Sequence, residues 1–160
     1  MNRALILWVS VFAIAMAFLE SSVVVYLRAL YYPDGFAFPL KPMDQGLAVT
    51  EFWREAATLV MLAGIGWIAG KRFTIRFAWF VYAFALWDIF YYVFLKLLLN
   101  WPVTLLDWDI LFLIPVTWVG PVITPVIASF TMILLTWIIL KKDKAEPGFR
   151  ITTFQWSLLI

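Results

Sequence analysis

Residues 74–99 read TIRFAWFVYAFALWDIFYYVFLKLLL, and this stretch decides the fold. It is apolar almost throughout, with Arg76 and Lys96 near its ends and Asp88 near its middle. A hydrocarbon core of about 30 Å requires roughly 20 helical residues, so the stretch is long enough to cross a bilayer. Because a helix without a polar outer face needs apolar surroundings, we predict that residues 74–99 form a membrane-spanning helix.

Three further apolar runs, at residues 4–30, 50–69 and 116–140, are also long enough to span. The first run resembles a secretion signal at its start, but it continues to about residue 30, far beyond a signal core. Of the 160 residues, 65% are hydrophobic and only 14% are charged. We therefore predict an all-α membrane protein: a four-transmembrane-helix bundle that forms a single integral membrane domain over residues 1–160.

A shorter apolar segment, residues 103–114, lies between Pro102 and Pro115. It is too short to span, and Trp101 and Trp108 are typical of membrane interfaces. We predict a short interfacial or re-entrant helix there, before the last span. Within that last span, Pro121 and Pro125 predict a bend, because proline cannot donate a helical hydrogen bond.

The basic residues predict the orientation. If four helices alternate, eight of the twelve basic residues fall on one side, and the positive-inside rule makes that side cytoplasmic. The chain is thus expected to be integral to a plasma membrane, here the bacterial inner membrane, with both termini in the cytoplasm. These eight residues are Arg3, Lys71, Arg72, Arg76, Lys141, Lys142, Lys144 and Arg150.

Composition also excludes several kinds of chemistry. The chain has no cysteine and no histidine, which excludes disulfides, thiol catalysis and imidazole-ligated metals within it. The formal net charge of +2 is too small to indicate a nucleic-acid partner. We expect no metal site and no cofactor, and proton chemistry would fall to carboxyl groups, tyrosines, lysines or arginines.

Most acidic residues map to the opposite, outer side. Counting 1.5 Å per residue from the cytoplasmic ends places Glu20 about 22 Å and Asp88 about 21 Å into the membrane. Glu51, Arg54 and Glu55 have i, i+3, i+4 spacing, which forms one polar stripe at the outer start of the second helix. Because charges in a bilayer turn inward and find partners, these side chains are expected to converge in one pocket.

Ten residues are the candidates for this pocket. An acid/base role is expected of Glu20, Glu55 and Asp88, since one carboxyl group with a raised pKa can donate a proton. The arginines would orient an anionic or polar head group, and the tyrosines would donate hydrogen bonds. The binding candidates are Arg28, Glu51, Arg54, Tyr91, Tyr92, Asp107 and Asp109.

This pocket predicts a membrane protein that handles a lipid-like or amphipathic small molecule, with acid/base catalysis as one option. A second hypothesis is an accessory subunit of a larger membrane complex, or a homo-oligomer, whose polar residues meet partner helices. A third is a proton-coupled carrier, because intramembrane carboxylates can relay protons. Each carboxylate could equally be a structural ion pair, and the tyrosines could belong to an interfacial aromatic belt. The expected partners are membrane lipids and a lipid-like substrate.

Overall fold

The computed structural model describes residues 3–159, with residues 153, 158 and 159 described by their backbone alone. Four long helices and one short helix account for most of the chain, and two short strands interrupt them. The elements in chain order are α1 (Arg3–Tyr31), α2 (Gln45–Ala69), α3 (Phe73–Leu99), β1 (Trp108–Phe112), β2 (Trp118–Pro121), α4 (Ile123–Ala145) and α5 (Thr153–Leu159).

Within the described residues, three helices are long and apolar enough to cross a membrane: α1, α3 and α4. Helix α2 has 25 residues, but Glu51, Arg54 and Glu55 make its first half polar. The chain is therefore mostly helical, with three helices among the described residues that are long and apolar enough to span a membrane, and the number of four spans remains a prediction.

Helix α3 lies at the centre of the bundle and packs against α1, α2 and α4. Its interface with α1 is built from small side chains, among them the fully buried Ala13, Ala17 and Ala83. Small residues let helix backbones approach closely, which is the main route to tight packing between apolar helices. Leu62 brings α2 into the same core, beside Trp79 of α3.

Helix α2 approaches α3 most closely at two glycines near its end. A methyl group added at Gly66 would lie 2.7 Å from the carbonyl oxygen of Arg76 and 2.9 Å from the Cβ of Phe80. At Gly70 the added carbon would lie 2.5 Å from the backbone nitrogen of Arg76. A third glycine, Gly64, has nothing within 4 Å of such a carbon.

These clearances predict opposite effects for two neighbouring substitutions. We expect Gly66→Ala to lower the free energy of unfolding by about 1–3 kcal/mol, because the backbones of α2 and α3 must separate. Gly64→Ala is the matched control, and it should be neutral or stabilising by up to about 1 kcal/mol through helix propensity. Unfolding in mixed micelles with increasing dodecyl sulfate measures the stability of both variants. Equal stabilities of the two variants would contradict the close contact of α2 with α3 at Gly66.

The predicted interfacial helix at residues 103–114 is wrong, because this segment forms β1 of an antiparallel hairpin. Asp109 pairs with Gly120 and Ile110 pairs with Val119. The carboxylate of Asp107 accepts hydrogen bonds from the backbone amides of Val103 and Thr104. Such side-chain bonds to nearby amides compete with a helix and favour a turn.

The predicted start of the last helix is also wrong. Helix α4 begins at Ile123, so Pro121 lies in β2 and Pro125 lies in the first turn of the helix. A proline in a first turn removes no helical hydrogen bond, and the expected bend has no basis there. The other predicted spans agree with α1, α2 and α3 to within five residues at each end.

Candidate functional site

A cavity of about 420 Å³ lies at the end of the bundle where α1 ends and α2 begins. Helices α1 and α2 both pack on α3 but make few contacts with each other, which leaves room between them. The loop of residues 32–44 and the hairpin β1–β2 complete the walls. We call this space the acidic cavity.

The acidic cavity collects nine of the ten residues that the sequence nominates. All nine line its wall, although they come from three helices and the hairpin. They are Glu20, Arg28, Glu51, Arg54, Glu55, Asp88, Tyr91, Tyr92 and Asp109.

Asp107 is the candidate that the structure places elsewhere. Besides the two turn amides, its carboxylate accepts a hydrogen bond from the hydroxyl of Thr104 at 2.8 Å. This hydroxyl is the main reason that the pKa of Asp107 is lowered. Its contacts are thus local to the turn, and Asp107 does not line the acidic cavity.

Arg54 joins two helices through a pair of carboxylates. Its Nη1 forms a short contact with Glu20 of α1, and its Nε donates to Glu51 on its own helix at 2.7 Å. Thr58, one turn further along, donates to the second oxygen of Glu20 at 3.4 Å. Two of the three guanidinium nitrogens of Arg54 are therefore paired with carboxylates of the protein itself.

Arg28 is held in a comparable way at the other side of the cavity. Its Nη2 lies 3.3 Å from Asp109 Oδ1, and the side chains of both residues are more than nine-tenths buried. The guanidinium also lies over the rings of Trp101, at 3.7 Å, and Phe36, at 4.3 Å. Burial raises the pKa of Asp109 to about 6, with Arg28 opposing the rise.

Glu55 and Asp88 each accept hydrogen bonds from fixed donors. The carboxylate of Glu55 receives the backbone amides of Leu113 and Ile114, at distances of 2.9–3.0 Å. The hydroxyl of Ser129 on α4 donates to Asp88 Oδ2 at 2.7 Å. Glu55 thereby fastens the hairpin to α2, and Asp88 connects α3 to α4.

Two residues of the cavity wall have a buried polar atom without a hydrogen-bond partner within residues 3–159. One is Oδ2 of Asp109 and the other is Nε1 of Trp87. The rings of Tyr91 and Tyr92 meet edge to face at 4.9 Å. The hydroxyl of Tyr92 acts on the Asp109 carboxylate as a longer hydrogen-bond donor. Because buried polar groups normally find partners, the indole N–H of Trp87 is the clearest position for a water or a ligand.

The cavity wall carries five carboxylates and three basic groups, and its two arginines are paired. Within the described part of the chain, no three acidic residues lie close enough to hold a metal ion. The arrangement can therefore recognise a hydrogen-bond donor or a positive charge more readily than an anion.

Sequence reasoning missed several partners. Periodicity gives no signal for Ser129, for Phe36 and Trp101 around Arg28, or for the backbone amides at the end of the hairpin. An unpaired amide can be anticipated only when the local backbone conformation is known, and the segment was expected to be helical.

The fold and the site together define a helical bundle with three candidate membrane-spanning helices among the described residues and a carboxylate-lined cavity at one end. No known protein family, no curated protein and no solved structure matches this chain. The function is therefore inferred from the acidic cavity alone.

Proposed function

We propose that this chain is an integral membrane protein that binds an amphipathic, lipid-like molecule in the acidic cavity. Helices α1–α4 cross the bilayer, with both termini on the cytoplasmic side and the cavity in the outer half. The distribution of basic residues supports this orientation, because they concentrate at the opposite end of the bundle.

The burial of the charges on α2 supports its place as the fourth span. Glu51 and Glu55 are only 5% and 7% exposed, so these carboxylates face protein rather than the surroundings. A charged residue is tolerated within a membrane when it faces the interior and has a partner. Helix α2 also connects the outer end of α1 to the inner end of α3, which requires a crossing.

The shape of the acidic cavity is the observation that carries the proposal. Its volume of about 420 Å³ lies in the range of small-molecule sites, about 300–1,000 Å³. Apolar side chains such as Val24, Leu27 and Phe52 line it alongside the carboxylates. Because α1 and α2 touch little, a molecule dissolved in the bilayer can enter sideways between them.

The contacts of the arginines favour a ligand whose polar group is neutral or cationic. Arg54 is shared by Glu20 and Glu51, and Arg28 is paired with Asp109. An anionic head group would have to displace these carboxylates from a half-buried or buried guanidinium. An alcohol or an amine would instead donate to a carboxylate of the cavity wall, where carboxylates outnumber basic groups by five to three.

Binding is better supported than catalysis. The three expected catalytic groups, Glu20, Glu55 and Asp88, all accept hydrogen bonds from donors fixed by the fold. Donors of this kind hold a carboxylate in one position, whereas a catalytic acid or base must be able to reach its substrate.

Filling the acidic cavity tests the proposal. Ala48 lines the cavity from α2, so Ala48→Trp should reduce the small molecule that co-purifies with the protein at least about tenfold. The matched control is Ala57→Trp, nine residues further along α2, which is exposed and lies outside the cavity wall. Mass spectrometry of organic extracts from gently purified protein measures retention.

Loss from the Ala48→Trp protein alone supports a ligand in the acidic cavity. Equal retention by both variants would overturn the proposal. If no small molecule is retained and a stoichiometric membrane protein co-purifies instead, the accessory-subunit hypothesis replaces it.

A further inference from the structure

A second cavity, of about 610 Å³, lies at the opposite end of the bundle. The start of α1, the end of α2, the start of α3 and the end of α4 converge there. Leu5, Ile75, Trp79, Trp137 and Leu140 supply its apolar wall. We call this space the basic cavity, since its remaining lining residues are mostly cationic.

The charge of the basic cavity is unbalanced. Four basic residues line it, and the one carboxylate among them, Asp143, is paired with Arg72. The three others are exposed lysines, and no carboxylate of residues 3–159 forms an ion pair with them. They are Lys71, Lys141 and Lys144. Three uncompensated cations around one hollow repel each other and attract an anion.

The backbone at the start of α3, beside the basic cavity, also favours an anion. Helix α3 starts at Phe73, and Arg72 at its N-cap provides no side-chain hydrogen bond to the first amides. The N-terminus of a helix carries a partial positive charge and unpaired N–H groups. Helix and lysines therefore favour an anionic group at the same place.

The apolar wall adds a second requirement. Trp137 is half exposed, and Nζ of Lys141 lies 4.8 Å above its ring, which places a cation beside an apolar surface. A free phosphate ion would use the lysines but leave this wall unoccupied. A phospholipid fits both, with its phosphate at the lysines and its glycerol and acyl chains along the wall.

We propose that the basic cavity binds the head group of an anionic glycerophospholipid from the adjacent leaflet. The phosphate contacts Lys71, Lys141 and Lys144, and the first carbons of the acyl chains lie against Trp137 and Leu140. This site is separate from the acidic cavity and does not depend on what that cavity binds.

Lipid binding to the purified protein tests this proposal by native mass spectrometry in a neutral detergent. Phosphatidylglycerol should bind at least about tenfold more tightly than phosphatidylcholine with the same acyl chains, since only the first has a net negative charge. The triple variant Lys71→Gln, Lys141→Gln and Lys144→Gln should weaken phosphatidylglycerol binding more than tenfold. One substitution, Lys141→Gln, should weaken it about fivefold, because a lysine near a lipid surface contributes about 1 kcal/mol.

The matched control removes three basic residues that the structure places outside the lining. It combines Arg3→Gln, Lys142→Gln and Arg150→Gln, and it should bind phosphatidylglycerol within about threefold of the parent protein. Equal losses in the two triple variants would overturn the proposal, because diffuse charge would then explain the preference. Competition by inorganic phosphate as effective as that by the lipid would also overturn it. Circular dichroism and melting temperature establish that each variant is folded.

Discussion

Replacing Arg54 by glutamine is expected to lower the free energy of unfolding by about 3–5 kcal/mol. Arg54 connects Glu20 to Glu51, and their side chains are only 13% and 7% exposed. Removing the guanidinium leaves two carboxylates close together in a poorly solvated place, and the repulsion adds to the cost of burial. Unfolding with increasing dodecyl sulfate, followed by tryptophan fluorescence, measures the loss.

Two controls separate this effect from the mere removal of an ion pair. Arg72→Gln breaks the more exposed pair with Asp143 and should cost less than about 1 kcal/mol. The combination Glu20→Gln, Glu51→Gln and Arg54→Gln removes all three charges and should recover much of the stability lost with Arg54 alone. A single Arg54→Gln protein as stable as the parent would show that Glu20 and Glu51 are solvated and unpaired.

The helices were predictable because their apolar runs are long. Residues 74–99 were expected to be helical, and α3 spans Phe73–Leu99. Segment length and composition are local properties, so no knowledge of the partner helices was required. The first turn of α2 lies outside the apolar run at residues 50–69, and for this reason the helix begins at Gln45, five residues before the predicted start.

The hairpin was not predictable in the same way. An apolar run of about ten residues bounded by prolines is compatible with a short helix, a buried strand or a re-entrant segment. Two contacts favour the hairpin over a helix here. Asp107, within the run, stabilises a turn, and Glu55 on α2, outside it, accepts hydrogen bonds from the amides of Leu113 and Ile114. Contacts with a distant helix cannot be read from local periodicity.

The membership of the acidic cavity was predictable, whereas the pairing within it was not. Depth along the helices correctly brought Glu20 and Asp88 to one level, and both line the cavity. The spacing on α2 allowed Arg54 to pair with Glu51 or with Glu55. In the structure, Arg54 pairs with Glu51 and also with Glu20 of α1. Which carboxylate meets which donor depends on helix rotation and loop conformation, which a single sequence does not specify.

Replacing Glu55 by glutamine is expected to release the end of the hairpin. The carboxylate of Glu55 accepts hydrogen bonds from the amides of Leu113 and Ile114, and hydrogen bonds to a charged group contribute about 1.5–3 kcal/mol each. A neutral amide accepts through one oxygen only, so about 3 kcal/mol of local stability should be lost. Amide hydrogen exchange at residues 113 and 114 should then become about a hundredfold faster, as tenfold corresponds to about 1.4 kcal/mol.

The controls distinguish anchoring by Glu55 from a general effect of charge. Asp34→Asn removes an exposed carboxylate from the loop after α1 and should leave exchange in the hairpin unchanged. Glu55→Asp keeps the charge but shortens the side chain by one methylene, which moves the carboxylate away from the two amides. Because the hydrogen bonds depend on this distance, amide exchange at residues 113 and 114 should still accelerate. If Glu55→Asp protects the two amides as well as glutamate does, the carboxylate acts through its charge in the acidic cavity rather than by holding the hairpin. Because the hairpin forms part of the cavity wall, its release should also lower retention of the small molecule proposed to bind there.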